Sequence, residues 1–273
     1  MTDPLNRFYR YPAARALLPV LGRLPLTPNH VTYIHIAIGF AAAGVVWARP
    51  TPLALAAAFV LFELRMILDC FDGVLARARG ASSPFGRALD EIADSVAFVS
   101  MVIAMGRHLY PAGGARTVLL GSVLLGMGGL CANAWDFYKR KITTALRDGA
   151  DGVQQEIRQK QAMIERGDAR PLAYWGVYFD SFQLWLYDVP ARGGDPVAVI
   201  RANANDPAFR RFAALLSFLS FDNGLMVLHL GILTGLFLHS QLVAFAYAVV
   251  LWTFTMVLAR RVLAAPRVAR GLA

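Results

Sequence analysis

The chain has 273 residues and a formal net charge of +9; 57% of its residues are hydrophobic and 16% are charged. With a mean hydropathy of +0.47, it is far more apolar than a soluble globular domain, in which charged residues make up about a quarter of the chain. Both cysteines, Cys70 and Cys131, fall in or beside apolar segments, which argues against a disulfide-stapled secreted domain.

The first 26 residues mix aromatic and leucine side chains with arginines and are interrupted by prolines. They lack the pattern of a cleavable signal peptide, and residues 5–21 are predicted to form an amphipathic helix in the membrane interface. The Thr27-Pro28 pair that follows predicts a helix start, with Thr27 as the N-cap and Pro28 as the first helical residue.

Six apolar runs have the length of a transmembrane helix, about 17 to 25 residues. They are residues 31–48, 52–70, 90–109, 117–137, 222–239 and 241–260. The sequence therefore predicts an all-α membrane protein with six transmembrane helices, an N-terminal interfacial amphipathic helix and a helical cytosolic insert. The predicted domain organisation is an interfacial segment (1–26), transmembrane helices 1–4 (27–137), the insert (138–221), and transmembrane helices 5–6 with a basic tail (222–273).

The insert between the fourth and fifth spans contains two helical patterns. Val153, Ile157 and Ile164 recur at helical spacing among polar residues and predict a short amphipathic helix. An aromatic cluster follows, in which Trp175, Phe179, Phe182 and Leu186 would share one stripe. Such a stripe is typical of a helix that rests on the membrane surface; a lid over an active site or part of a lipid entrance is the alternative interpretation.

Basic residues are concentrated before the first span, between the second and third, after the fourth and after the sixth. Because cytosolic loops carry the excess of Lys and Arg, both termini and the loop between spans two and three are predicted to be cytosolic. We expect a multi-pass protein of the bacterial inner membrane. Topology and attraction to anionic lipid account for the positive charge, so nucleic acid is not an expected partner.

Four aspartates stand at helical spacing where the second and third spans meet the cytosol, in the sequence D-C-F-D-G-V-L-A-R, eight further residues, then G-R-A-L-D-E-I-A-D. A carboxylate at a helix centre in a membrane costs roughly 2.5 to 3.5 kcal/mol, which makes such residues functional candidates. At 100° per residue, two helix faces collect Asp69, Asp72, Gly73 and Ala76 on the first, and Gly86, Asp90 and Asp94 on the second. If the faces pack together, the converging oxygen ligands would favour a hard divalent cation.

This pattern resembles the signature of the CDP-alcohol phosphotransferase family, D-x-x-D-G-x-x-A-R-x8-G-x3-D-x3-D. The matched positions are Asp69, Asp72, Gly73, Ala76, Arg77, Gly86, Asp90 and Asp94. The segment T-P-N-x-V-T, residues 27–32, is also similar to the opening of the first span in many members. The resemblance implies an enzyme of phospholipid biosynthesis, in which an acceptor hydroxyl attacks the β-phosphorus of a CDP-linked alcohol and CMP leaves.

The same resemblance implies a role for each motif residue. Asp69, Asp72, Asp90 and Asp94 would bind two Mg²⁺ or Mn²⁺ ions, and Asp94 would also be the general base. The CDP moiety would be bound by Asp69, Gly73, Ala76, Arg77 and Gly86. The implied partners are a CDP-linked lipid, most often CDP-diacylglycerol, a hydroxyl acceptor whose identity is left open, membrane lipids, and a second copy of the chain in a homodimer.

Three alternatives compete with this interpretation. The aspartates could form a structural ion-pair network, with Arg65 one turn before Asp69; they could line a cation path in a transporter or channel; or the chain could be a noncatalytic family member. Gly73 and Gly86 could be helix-packing residues only. The five histidines show no ligand spacing, so the sequence assigns no role to them.

Cations near the cytosolic ends of the spans are candidates for binding a phosphorylated acceptor. They are Lys139, Arg140, Lys141, Arg210 and Arg211. Their position is equally expected from topology, which is the favoured interpretation. Asp136 could face the active-site cavity or the membrane interface.

Overall fold

A computed structural model of the protein describes residues 2–48, 50–81, 84–167, 171–192 and 194–265. No strand occurs in these ranges, so the predicted all-α class is confirmed. The helices are a π-helical turn, Asn6–Arg10, followed by α1 Tyr11–Leu21, α2 Pro28–Ala48, α3 Pro52–Ala78, α4 Pro84–Asp148, α5 Gly152–Glu165, α6 Pro171–Tyr187, α7 Pro196–Asn203, α8 Pro207–Phe218, α9 Phe221–Thr234 and α10 Phe237–Val262. Most of the predicted basic tail, from residue 266 onward, lies outside the described residues.

A capping side chain followed by proline opens several of these helices. Proline has no backbone N–H to leave unsatisfied and its fixed φ suits the first helical position. The Thr27 hydroxyl accepts a hydrogen bond from the backbone N–H of His30 at 3.2 Å, which confirms the predicted cap of α2. The same arrangement recurs with Thr51 at α3, Asp195 at α7 and Asp206 at α8.

Within the described residues, four helical stretches are long and apolar enough to cross a membrane. They are Pro28–Ala48, Ile92–Asp148, Pro207–Thr234 and Phe237–Val262. The protein is therefore an integral membrane protein with helical spans. The number six stays a prediction, because α3 carries Glu63, Arg65 and Asp69 and is not among these four.

A break divides α4 in the region where the sequence predicts the turn between spans three and four. Residues Gly113 and Gly114 leave the helical conformation, and Gly114 has φ of +64°, a value that favours glycine. Without the break, the 57 residues Ile92–Asp148 would extend about 85 Å at 1.5 Å per residue. A bilayer core is only about 30 Å thick, so the break makes two crossings by α4 geometrically reasonable.

The chain divides into two compact units. The first unit contains Thr2–Gly128 and Asp222–Ala246, and the second contains Gly129–Phe221 and the residues from Tyr247 onward. In the first unit, α1 packs on α3 through Ala14, Leu68, Phe71 and Leu75. A larger apolar cluster joins α2, α3, α4, α9 and α10.

The N-terminal segment of the first unit is anchored by a buried charge cluster. Arg10, which lies in the segment predicted to form an interfacial amphipathic helix, is fully buried. Its guanidinium donates to Glu63 Oε1 at 3.1 Å and to Asp222 Oδ1 at 3.3 Å. The Asn6 amide donates to Asp222 Oδ2 at 2.7 Å, and His229 Nδ1 lies 2.5 Å from Glu63 Oε1. These contacts tie the segment to α3 and α9.

The second unit is organised by the predicted insert. The short amphipathic helix is confirmed as α5, in which Val153 and Ile157 are buried. Arg140 of α4 donates to Glu156 at 2.7 Å and to Asp180 at 3.1 Å. It also forms an ion pair with Asp136. Asp136 therefore serves as a partner of Arg140.

Lys141 forms ion pairs with Asp151 and Asp188. Arg140 and Lys141 thus form ion pairs with carboxylates of the second unit. They have a structural role in addition to the orientation signal expected of cytosolic basic residues. The aromatic helix α6 exposes a stripe that differs from the predicted one: Tyr174, Trp175, Tyr178 and Trp185. The stripe is rotated because Asp180 and Gln183 on the opposite face are buried against Arg140.

Replacing Arg10 with alanine should destabilise the protein, because Glu63 and Asp222 would lose their shared guanidinium. Removing one partner of a buried ion pair costs about 3–5 kcal/mol. We expect a clearly lower thermal unfolding temperature in detergent and faster proteolysis near the N-terminus. Arg15→Ala is the matched control, since Arg15 is exposed on α1 and the change in net charge is the same. Equal stability of the two variants would contradict the anchoring role.

Candidate active site

The acidic motif is carried by the C-terminal half of α3 and the first turns of α4. Asp69 and Asp72 are separated by three positions on α3, and Asp90 and Asp94 by four positions on α4. Each pair therefore lies on one helix face. The helix α3 ends soon after the motif, where Gly80 has φ of +61° and the Ala81 N–H donates to Ala76 O at 2.9 Å. This is a Schellman termination, and it ends α3 within a few residues of Arg77.

Three of the four motif aspartates surround one imidazole from α2. His35 Nε2 lies 3.4 Å from Asp72 Oδ2, 3.8 Å from Asp69 Oδ1 and 4.0 Å from Asp90 Oδ1. His35 is fully buried, whereas the Asp90 side chain is 43% exposed. The cluster therefore has a buried floor on α2 and α3 and an open side on α4.

A second α2 residue fixes one of these carboxylates. Thr32, three positions before His35, donates from Oγ1 to Asp72 Oδ2 at 2.7 Å. Both residues are buried, and a hydrogen bond to a carboxylate in such surroundings is stronger than one in water. Thr32 is the last residue of the T-P-N-x-V-T segment, so this segment both starts α2 and orients Asp72.

Several polar atoms of the cluster are buried without a hydrogen-bond partner. They are both ring nitrogens of His35, Oδ1 of Asp69 and Oδ1 of Asp90. Ligand atoms of His35, Asp69 and Asp90 all lie within 4.8 Å of one another, which is close enough for one ion to bind them. Buried polar atoms are usually satisfied, so this group fits a divalent cation both in spacing and in chemistry.

Asp94 lies beside a different partner. It forms a close ion pair with Arg65 of α3, whose guanidinium is also 4.0 Å from Asp69 Oδ1. The sequence predicted Arg65 as a partner of Asp69; its contact with Asp94 across two helices is closer. The Asp94 side chain is 52% exposed, whereas Arg65 is buried. Arg65 therefore fixes the position of a carboxylate that faces the open side of the cluster.

The remaining motif residues lie along the same helices. The Arg77 side chain folds back over Gly73, where a Cβ atom would meet Arg77 Nη1 at 3.4 Å. Ala76 is half-buried one position before Arg77, and Gly86 is half-buried in the first turn of α4. At Gly73 the absence of a side chain lets the Arg77 guanidinium lie close to the helix backbone.

Arg79, which is outside the signature, stabilises the loop between α1 and α2. Its guanidinium donates to the carbonyl oxygen atoms of Gly22 at 2.7 Å, Leu24 at 3.0 Å and Leu26. The loop leads directly into Thr27 and α2. Arg79 therefore helps to hold α2, with Thr32 and His35, against the end of α3.

Sequence reasoning missed two residues of the cluster, Thr32 and His35. The available signal was their spacing: positions i and i+3 on a helix share a face, and both polar side chains interrupt an otherwise apolar span. A histidine inside such a span is uncommon and marks a functional candidate.

Comparison with known proteins agrees with the motif. Residues 25–146 match the family model described as CDP-alcohol phosphatidyltransferase. The chain is also similar to archaetidylinositol phosphate synthase from Aeropyrum pernix, with 33% identity over 104 residues, which is 37% of this chain and 52% of that protein. The chain thus aligns with about half the length of this curated relative. No solved structure matches the chain significantly.

The matched segment contains every position of the aspartate signature as well as Thr32, His35 and Arg65. It also includes the two helix faces on which the carboxylates converge. The family match therefore falls on the segment that carries the aspartate motif and the residues around it.

Proposed function

We propose that the protein transfers a phosphatidyl or other substituted phosphate group from a CDP-linked alcohol to an acceptor hydroxyl, with release of CMP. The observation that carries this proposal is the convergence of Asp69, Asp72 and Asp90, with buried oxygen atoms that have no hydrogen-bond partner. A diphosphate adds further negative charge, so a site of this kind requires cations. Two Mg²⁺ or Mn²⁺ ions bound there would neutralise the diphosphate and polarise its β-phosphorus.

Different residues of the site bind the cations and orient the ligands. Asp69, Asp72 and Asp90 would bind the cations, while Thr32 fixes the orientation of the Asp72 carboxylate. Fixed ligands reduce the reorganisation required when the reaction begins. Arg77 is exposed beside Gly73, where its planar guanidinium can donate two hydrogen bonds to a phosphate of the CDP moiety.

Asp94 is the proposed general base. Its carboxylate is the most exposed of the four and Arg65 holds it in place. In the reaction, the acceptor oxygen forms a bond to the β-phosphorus, and the bond from that phosphorus to the oxygen of CMP breaks. The hydroxyl proton passes to the Asp94 carboxylate, and the electron pair of the broken bond remains on CMP.

The donor we propose is CDP-diacylglycerol, since a site on helices of a membrane protein can receive a lipid-linked nucleotide directly from the bilayer. The curated relative is named for the synthesis of an archaetidylinositol phosphate, which supports testing inositol phosphate first among polar acceptors. The positive-inside pattern supports a site that faces the cytosol, and we place it at the inner membrane of a bacterium as part of the proposal. A homodimer is part of the same proposal.

A cation pathway is less well supported than an enzyme. Such a pathway needs cation ligands at several depths of the membrane. Glu63 is the acidic residue of α3 that precedes the motif, and it forms ion pairs with Arg10 and His229. Among the described residues, the carboxylates that converge on one another are those at the end of α3 and the start of α4.

Purified protein with Mn²⁺ or Mg²⁺ should release CMP from CDP-diacylglycerol when a suitable hydroxyl acceptor is present. The acceptor panel should include inositol phosphate, glycerol phosphate, serine and inositol, with a CDP-alcohol and lipid acceptor as a separate arm. CMP is measured by chromatography and the lipid product by mass spectrometry. The double variant Asp69→Ala/Asp72→Ala should give neither. An absence of metal-dependent CMP release from every combination would contradict the proposed activity.

Asp94→Asn should abolish most turnover while it leaves nucleotide binding nearly intact. General-base catalysis contributes about 10²- to 10⁴-fold, so we expect a loss of kcat in this range and little change in the affinity for CMP. Asp148→Asn is the control, because it makes the same change at an exposed position of the same helix. Turnover within a few fold of the unsubstituted protein would show that another group accepts the proton.

A further inference from the structure

His35 lies in an environment that differs from those of His229 and His108. The side chain is fully buried, and neither ring nitrogen has a hydrogen-bond partner. Two other histidines of the first unit have partners: His229 lies against Glu63, and His108 lies against the carbonyl oxygen of Val46. A buried imidazole is normally satisfied in this way. His35 instead directs Nε2 toward three carboxylates.

The separations around Nε2 fall between those of adjacent and of opposite ligand atoms of one ion. With metal–ligand bonds of about 2.0–2.2 Å, two ligand atoms of one ion are about 3 Å apart when adjacent and about 4.2 Å apart when opposite. The distances from His35 Nε2 to carboxylate oxygens of Asp72, Asp69 and Asp90 are 3.4, 3.8 and 4.0 Å. The contact of 3.4 Å between His35 Nε2 and Asp72 does not form a hydrogen bond.

We propose that His35 Nε2 is a nitrogen ligand of the metal centre, so that one ion is bound by imidazole together with the carboxylates of Asp69 and Asp90. The proposal rests on the proposed metal-dependent function and adds to it a ligand that the aspartate signature does not contain. Thr32 supports this arrangement, since its hydrogen bond orients Asp72 Oδ2 beside the ring.

A nitrogen ligand changes the metals that the site prefers. Carboxylates alone suit Mg²⁺, Ca²⁺ and Mn²⁺, whereas imidazole strengthens binding of later first-row metals more than that of Mg²⁺. The imidazole also adds no negative charge to a site that already has several carboxylates. The predicted consequence is a preference for Mn²⁺ or Co²⁺ over Mg²⁺ that depends on His35.

Pulsed electron paramagnetic resonance on the full-length protein tests the ligand directly. With less than one equivalent of Mn²⁺, the electron spin echo of the unsubstituted protein should show the modulation of a coordinated nitrogen. The same spectrum from protein labelled with ¹⁵N-histidine should shift to the ¹⁵N pattern. This measurement needs no variant and no turnover.

Binding measurements on two variants complete the test. His35→Asn should weaken Mn²⁺ affinity about tenfold or more and Mg²⁺ affinity much less, and it should lose the nitrogen modulation. His30→Asn is the control, since His30 is exposed on the same helix near its N-terminus and should change neither affinity. Helical content by circular dichroism confirms that both variants are folded.

The outcomes separate this proposal from the one on which it rests. Mn²⁺ binding with histidine modulation supports both. Mn²⁺ binding that is lost in Asp69→Ala/Asp72→Ala, but that shows no histidine nitrogen, overturns the role of His35 and leaves the metal centre intact. No specific Mn²⁺ binding overturns both.

Discussion

Carboxylates that meet in apolar surroundings repel one another strongly, and this repulsion determines what the first unit can do. Two carboxylates about 4 Å apart repel by about 4 kcal/mol at an effective dielectric constant of 20. The acidic residues of α3 belong to two clusters that differ in how their negative charge is compensated. Glu63 is compensated by Arg10 and His229. Asp69, Asp72 and Asp90, by contrast, converge on one another, and the basic side chains recorded within 4.0 Å of them among the described residues are Arg65 and His35. The first cluster is structural, and the second requires additional positive charge.

The two clusters are connected through the elements that form them. Arg10 anchors the N-terminal segment against α3 and α9, and Arg79 holds the loop that follows α1. Both contacts restrict the start of α2. Because α2 supplies Thr32 and His35, the position of the buried floor of the cluster depends on residues outside the cluster. Ordered surroundings of this kind are what a preorganised catalytic site requires.

Much of the site could be predicted from the sequence, because the signature residues lie at helical spacing on α3 and α4. Periodicity places residues on one face of one helix, and so it brought Asp69 and Asp72 together correctly. It does not determine which face of a neighbouring helix packs against them. For that reason His35 was assigned no role, and Arg65 was paired with Asp69 while its closer partner is Asp94. The exposed aromatic stripe of α6 differs from the predicted stripe for the same reason, because buried Asp180 and Gln183 determine which face of the helix points outward.

The division into helices was predictable where turn residues interrupt apolar runs. The Gly113–Gly114 break lies in the predicted loop, and the proline-led helix starts follow capping residues. The turn between α9 and α10 was harder to place, because apolar residues continue through it. Gly235, with φ of +71°, ends α9 several residues earlier than hydropathy suggests.

Anomalous X-ray scattering from crystals grown with Mn²⁺ and a CDP-alcohol would show whether the aspartate helices gather divalent cations around a diphosphate. We expect two manganese peaks about 3.5–4 Å apart, bonded to carboxylate oxygens of Asp69, Asp72 and Asp90 and adjacent to the diphosphate. Carboxylates that are splayed apart around the nucleotide, with no manganese peak between them, would contradict it.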